Sequence, residues 1–351
     1  MVLVSFLLIL ACFLACLLFW SFRNLPKDGW QIVAAIPVQK LESGTWKGIV
    51  LTYYGVFISV AVAIALLLFF IMMGSIKISA FQSGLLCLII ISVFVPASRL
   101  LARIVEKKQH TLTVGGASFV AILIIPILIT VFKYLDPYYP LHLDFPLMPT
   151  LAALSVSYTI GEGLGRLACI SFGCCYGPEI SSCGPSIRKI FKRCHFIFSG
   201  LTKKITYASG SDQVPVVPIQ GITSSLYVVT GVVGLSLWFA GLQNLALLLS
   251  IVVTQGWRFI SEFFRSDFRG LGRISTYQVM ALVSIAYTLI IVTVPSFEPA
   301  SDIDIADGLY NCLSPIVILT IQFLATGVFL FTGVSSVIGS NMSFFIYKDK
   351  I

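Results

Sequence analysis

The chain has 351 residues, 58% of them hydrophobic and 11% charged, with a formal net charge of +8 and a mean hydropathy of +0.97. Soluble domains carry about 25% charged residues, so the composition excludes an ordinary soluble protein and implies an all-α polytopic membrane protein. In such a chain the net positive charge does not imply a nucleic-acid partner; what informs is which loops hold the basic residues.

A bilayer span takes about 20 mainly apolar residues. Runs of that kind fall at 2–21, 49–73, 80–98, 112–134, 146–170, 218–240, 243–264, 276–297 and 313–338, which predicts nine helices. The first run lacks a basic leading region and a clear cleavage site, and reads as a retained anchor. Between the first two runs, 22–48 contains Trp30 and Trp46, residues suited to a membrane surface. One substantial hydrophilic segment, 171–217, is rich in Gly, Ser, Pro, Lys and Arg and reads as a small head. The segment 298–312 is acidic.

Two runs hold charges in a helical pattern; ionisable residues cost roughly 2.5 kcal/mol or more each inside a membrane and so need partners or a task. Glu162 and Arg166 are four apart and share a helix face. Arg258, Glu262 and Arg265, in "WRFISEFFR", share another. One reading is charge pairs that lock helices together. The other is an arginine-lined pocket for an anionic head group, since a guanidinium stays charged and binds phosphate oxygens in pairs. Three arginines against two carboxylates favour the pocket. Gly161, Gly163, Gly165, Gly173, Gly177, Gly184 and the pair Gly115-Gly116 fit either close approach of a ligand or close helix packing.

Several segments together resemble the prolipoprotein diacylglyceryl transferase family. They are "LTYYGVF" (51–57), "VGGASFVAIL" (114–123), "GRLACISFGCCYG" (165–177), "VPIQ" (217–220), "WRFISEFFRSD" (257–267) and "STYQVMAL" (275–282), in the family's order over about 49–297. The resemblance implies a seven-helix transferase-like core with one extra helix at each end. Residues 1–48 would then form an anchor and surface segment, 49–297 the core with its head, and 298–351 an acidic loop and an added helix. It also implies transfer of a diacylglyceryl group from phosphatidylglycerol to the lipobox cysteine of a prolipoprotein signal peptide. A thioether forms, glycerol phosphate leaves, and no metal or other cofactor is called for.

By the same resemblance, Arg166 and Arg258 match the family's essential arginines and would hold the phosphate. Tyr54 would complete the polar wall, and Glu262 would orient Arg258. Arg265, Gly115, Gly116, Cys169, Gly173, Gly177 and Gln220 match the remaining motif positions and would line the substrate site. A multi-pass protein of a bacterial-type inner membrane is implied.

The departures fall on the acid–base side. Val114 stands where the family has a histidine before Gly-Gly, with His110 four residues earlier. Cys169 stands for the signature asparagine and Cys174 for a glutamate, and "GIT" at 221–223 replaces Leu-Tyr-Glu. These changes bear on the acceptor more than on the lipid.

Cys12, Cys16 and Cys87 lie in apolar runs and read as small hydrophobes. Cys169, Cys174, Cys175, Cys183 and Cys194 gather near the head. A disulfide within the head, a zinc site without the paired C-x2-C hooks, and reduced thiols all remain open on spacing alone. Orientation is contested as well. The family places the arginine pocket and head outside, whereas almost all loop Lys and Arg lie on that side, and the positive-inside rule predicts the reverse.

Overall fold

The computed structural model describes residues 1–101, 103, 114–135, 145–264, 274–293, 302–340 and 349. Its long helices are α1 (Val2–Asn24), α2 (Tyr53–Ser75), α3 (Ala80–Leu101), α4 (Val114–Leu135) and α5 (Leu147–Phe172). In the head lie the short α6 (Pro185–Phe191) and α7 (Lys204–Ser209). There follow α8 (Ile219–Phe239), α9 (Gln243–Ser261), α10 (Thr276–Thr293), the short α11 (Ile305–Asn311) and α12 (Pro315–Gly333). The strands are β1 (Ile32–Lys40), β2 (Trp46–Thr52), β3 (Phe196–Ile197), β4 (Pro215–Val216) and β5 (Val334–Ser340).

The protein is an all-α polytopic membrane protein with a little sheet added at one end. Among the described residues, eight helices are long and apolar enough to cross a bilayer: α1 to α4, α8 to α10, and α12. The ninth expected span is α5, the longest helix at 26 residues. Its serines, glycines, Glu162 and Arg166 make it less apolar, and most of its side chains are buried. It packs against α2, α8 and α9. A helix walled by other helices needs no lipid-facing apolar coat, and polar residues in membranes face such interiors.

Small residues let these helices approach. A Cβ on Gly161 would lie 2.9 Å from Ala65 of α2, and one on Gly163 would lie 3.1 Å from Tyr227 and Val228 of α8. Gly165 faces Ile58 of α2. The three glycines of α5 therefore serve helix packing, the second of the two readings offered by the sequence. The same device joins α2 to α12, where a Cβ on Gly55 would fall 2.1 Å from the Cα of Gly333.

The sheet was not anticipated. β1, β2 and β5 form an antiparallel sheet in that order, with Ile36 opposite Ile49 and Ile49 opposite Ser336. Residues 49–52, read as the start of a span, belong to β2, and the run 313–338 leaves its helix at Gly333 to become β5. β-branched apolar residues raise hydropathy in a strand as much as in a helix, so the two are confused at a boundary. β2 also runs across position 48, where the surface segment was expected to give way to the core.

The helices alternate in direction, which gathers the polar machinery at one end. There α2, α4, α8 and α10 begin and α1, α3, α5, α9 and α12 finish. Contacts between those termini establish this: Lys203 Nζ to the Leu25 carbonyl, Arg99 over the Phe331 ring, Arg258 to Ser118, and Gln278 to the Phe259 carbonyl. At the opposite end, the Asp304 N–H donates to the Ser75 carbonyl and α11 packs on α2.

The head is fastened to the end of α5. Lys203 is fully buried, and its ammonium donates to the carbonyl oxygens of Ser171 at 2.8 Å and Leu25 at 3.1 Å. It thereby satisfies carbonyls at two helix ends, where a cation is favoured. Burial pulls its pKa down to about 8, against an opposing pull from Asp28.

Candidate functional site

Tyr158, Glu162 and Arg166 are spaced four apart and project from one face of α5. Glu162, with a side chain 5% exposed, accepts from Arg166 Nη2 at 2.6 Å. The same Oε1 accepts from Arg258 Nη2 of α9 at 2.7 Å. The Tyr158 hydroxyl donates to the other carboxylate oxygen and accepts from Arg258 Nη2 at 2.6 Å. Arg258 Nη1 reaches across to Ser118 Oγ of α4 at 2.8 Å. One carboxylate thus holds two guanidinium groups, and the cluster of three carries one net positive charge.

The carboxylate that grips Arg258 is Glu162, not the expected Glu262. Along a helix, an acid preceding a base by four is the better order. Glu162 and Arg166 have that order; Arg258 and Glu262 have the reverse, and Arg258 turns toward α5 instead. Glu262 sits one turn further on, where α9 passes into a 3-10 turn. The pairing of Glu162 with Arg258 also bears out helix locking, since it joins α5 to α9.

Two donors in this cluster are left over. Arg166 Nε and Arg258 Nε are buried and have no hydrogen-bond partner among the described residues, and the same holds for Gln220 Oε1. A buried orphan costs about 1–3 kcal/mol, and the same condition recurs elsewhere in the bundle, at Ser157, Ser250 and Gln255.

The other expected residues fall around this centre. Tyr54, at the start of α2, stacks edge-on with Phe172 at 5.9 Å and lies within electrostatic reach of Arg166. Gly115 leaves room for Arg258: an added Cβ would stand 3.3 Å from Nη1 and 3.1 Å from the Tyr277 ring. Gly116, in the same turn of α4, is buried. Gly173 ends α5 at φ +71, a conformation that glycine tolerates best. At Gly177 an added Cβ would meet the Val217 carbonyl at 2.7 Å. Gln220 Nε2 donates to the Cys174 carbonyl at 2.8 Å and so fixes the loop after α5. Arg265 and His110 lie outside the described residues.

No disulfide joins any of the nine cysteines, all of which lie among the described residues. Of the five near the head, Cys169, Cys174 and Cys175 come together. Cys183 bonds the Glu179 carbonyl and Cys194 is exposed.

Below the cluster is a cavity of about 230 Å³ among α3, α4, α5, α9 and α10. Ile90, Ala121, Leu151, Leu247 and Ile291 contribute to its apolar wall, and Ser118 and Tyr158 stand at its polar edge. Both of those bond Arg258, so the charged cluster and the apolar cavity share a boundary. Sequence reasoning missed both. Tyr158 was within reach, since it lies four residues before Glu162 on the face already marked by charge.

A family model described as prolipoprotein diacylglyceryl transferase matches residues 45–294. The chain belongs to the prolipoprotein diacylglyceryl transferase family. It is thus a multi-pass membrane protein of a transferase family that acts in lipoprotein biosynthesis. The matched stretch spans more than two thirds of the transferase chain and contains every member of the arginine cluster, Tyr54, the three gathered cysteines and Gln220. α1 and α12 lie outside it, as do β1 and β5, the two partners of β2. No curated protein and no solved structure matches the transferase chain.

Proposed function

We propose that the protein moves a diacylglyceryl group from phosphatidylglycerol to the lipobox cysteine thiol of prolipoproteins, forming a thioether. The observation that carries this reading is the shared boundary between a cationic cluster and an apolar cavity. A phospholipid has the matching two-ended chemistry. Its phosphate diester would take up the net positive charge of Glu162, Arg166 and Arg258, and the unused Nε–H groups are further donors for it once the site opens. An acyl chain would occupy the cavity.

Catalysis would then rest on placement and charge. Arg166 and Arg258 offset the negative charge that grows on the departing phosphate, in a site with little water, where such interactions are strong. Glu162 holds both guanidinium groups in place before the lipid arrives, Tyr158 shares Nη2 of Arg258 with it, and Ser118 fixes Nη1. Tyr54 adds a hydroxyl on the α2 side. Arg265, Gly115, Gly116, Gly173, Gly177 and Gln220 complete the substrate site in this reading.

Membranes given radiolabelled phosphatidylglycerol and a lipobox peptide test it. A labelled thioether is expected, and Arg166→Ala and Arg258→Ala lose the product while still inserting. Full activity in both variants would refute the assignment. A second reading has specific support in Val114, Cys169 and Cys174, which replace the family's His, Asn and Glu: the same lipid with another acceptor. A labelled product other than the peptide thioether would indicate it, and bound lipid without product would indicate a lipid carrier.

The reading places the arginine end outside, in a bacterial-type inner membrane. That end carries Arg23, Lys27, Lys40, Lys47, Arg188, Lys189, Lys192 and Arg193, against the positive-inside rule. Attraction to anionic lipid head groups is a counterweight. A tag introduced near residue 190 and labelled from outside checks this; labelling only from the cytoplasm would end lipoprotein modification as the function.

A further inference from the structure

Three thiols converge at the end of α5. The Sγ atoms of Cys169, Cys174 and Cys175 all lie within 4.8 Å of one another. The spacing C-x4-C-C does not require this; the helix terminus makes it. Gly173 N–H donates to the Ile170 carbonyl at 3.2 Å, and Cys174 N–H to the Cys169 carbonyl at 3.0 Å. Those are the paired bonds of a Schellman stop, which folds the chain back over the last turn. Cys175 continues the reversal at φ 58, a conformation unusual for a residue with a Cβ. From outside the turn, Gln220 holds the Cys174 carbonyl and the Ile205 N–H holds that of Gly173. The reversal is thus braced from two other segments, α8 and the head.

Three sulfurs bound to one zinc-class ion at about 2.3 Å would stand roughly 3.8 Å apart in a tetrahedron. The observed separations, none above 4.8 Å, exceed that by about 1 Å at most. Sulfur donors favour soft or borderline cations.

We propose that Cys169, Cys174 and Cys175 hold one divalent cation of the zinc class as thiolates, leaving its fourth position for an incoming thiol. The first half stands on geometry alone. The second rests on the transfer reading, in which the incoming thiol is the acceptor cysteine. On coordination that thiol gives its proton to water, because a metal-bound thiol is deprotonated. The sulfur then forms its bond to the glyceryl carbon as the carbon–oxygen bond to phosphate breaks. The electron pair of that bond leaves with glycerol phosphate beside Arg166 and Arg258. No oxidant or reductant is involved.

The test uses the full chain purified in detergent, with Co²⁺ and Zn²⁺ as probes. One equivalent of Co²⁺ is expected to give a thiolate charge-transfer absorption that Zn²⁺ abolishes. Cys169→Ser, Cys174→Ser and Cys175→Ser lose it, and Cys183→Ser and Cys194→Ser keep it. X-ray absorption on the zinc-loaded, unmutated chain guards against misfolded variants; it should find three sulfur neighbours at about 2.3 Å. Failure to take up one equivalent, fewer than three sulfurs, or a disulfide consuming two of the thiols overturns the site. A lipobox peptide should add a fourth sulfur, and its Cys→Ser version should not. Thioether formation with the count still at three removes the acceptor role and leaves the transfer reading intact. A fourth sulfur without any thioether supports the metal site and removes the transfer reading.

Discussion

Replacing Glu162 by Gln keeps the shape of the cluster centre and deletes its charge. Arg166 and Arg258 bind the same oxygen at 2.6 and 2.7 Å, so their terminal nitrogens are about 5 Å apart at most. Two like charges at that separation repel by roughly 3 kcal/mol at an effective dielectric near 20. Removing one partner from a buried ion pair typically costs about 3–5 kcal/mol, and the repulsion worked from the geometry falls at the lower edge of that range. Glu162→Gln is therefore expected to lower unfolding free energy by about 3–4 kcal/mol. Denaturant or thermal unfolding in detergent measures this. Phosphatidylglycerol then distinguishes a locking pair from a lipid site. An anionic head group replaces the lost charge, so the lipid should stabilise the variant more than the unaltered protein. A variant within 0.5 kcal/mol of the parent, or one that neutral and anionic lipid stabilise equally, would refute the reasoning.

Arg258→Lys keeps the charge but cannot reach Ser118, Tyr158 and Glu162 together, so transfer should fall by about tenfold or more while stability changes by less than in Arg258→Ala; rates and unfolding measured on both variants check this. Ala121→Phe fills part of the apolar cavity, and it should raise the lipid concentration needed for half-maximal transfer with little loss of insertion. Gly177→Ala drives a methyl to 2.7 Å from the Val217 carbonyl; a loss of about 2 kcal/mol in thermal unfolding is expected. Lys203 has a pKa of about 8 in the fold against 10.5 unfolded. The unfolded chain therefore binds more protons between those values, and stability should rise as pH climbs from 8 to 10.5, by on the order of 3 kcal/mol. Lys203→Met should flatten the rise, and an equal pH response in both proteins would contradict the buried placement.

Hydropathy located the helices because a bilayer imposes their length, whatever packs beside them. It failed at Ile49–Thr52 and Val334–Ser340, where strands look as apolar as helices and the partners are separated by most of the chain. The bond between Glu162 and Arg166 was legible because four-residue spacing is a local rule. The bond from Arg258 to Glu162 was not, since no local rule says which faces of α5 and α9 meet. The same limit hid Ser118, which serves the site only because α4 begins beside the end of α9. For the cysteines, spacing left a metal centre open without the paired hooks that would single it out, because spacing does not show where the chain turns. At Gly173 the chain doubles back, and C-x4-C-C becomes a cluster.

The pairing of β2 with β5 has a consequence for biogenesis. β2 leaves the ribosome early and finds β1 at once, but its second edge waits for residues 334–340. Between those moments the transferase core is already in the membrane, with an unpaired strand edge beside its arginine end. Arrival of β5 closes that edge and draws Gly333 against Gly55. The last helix thus acts as a latch, and assembly is finished only when it shuts.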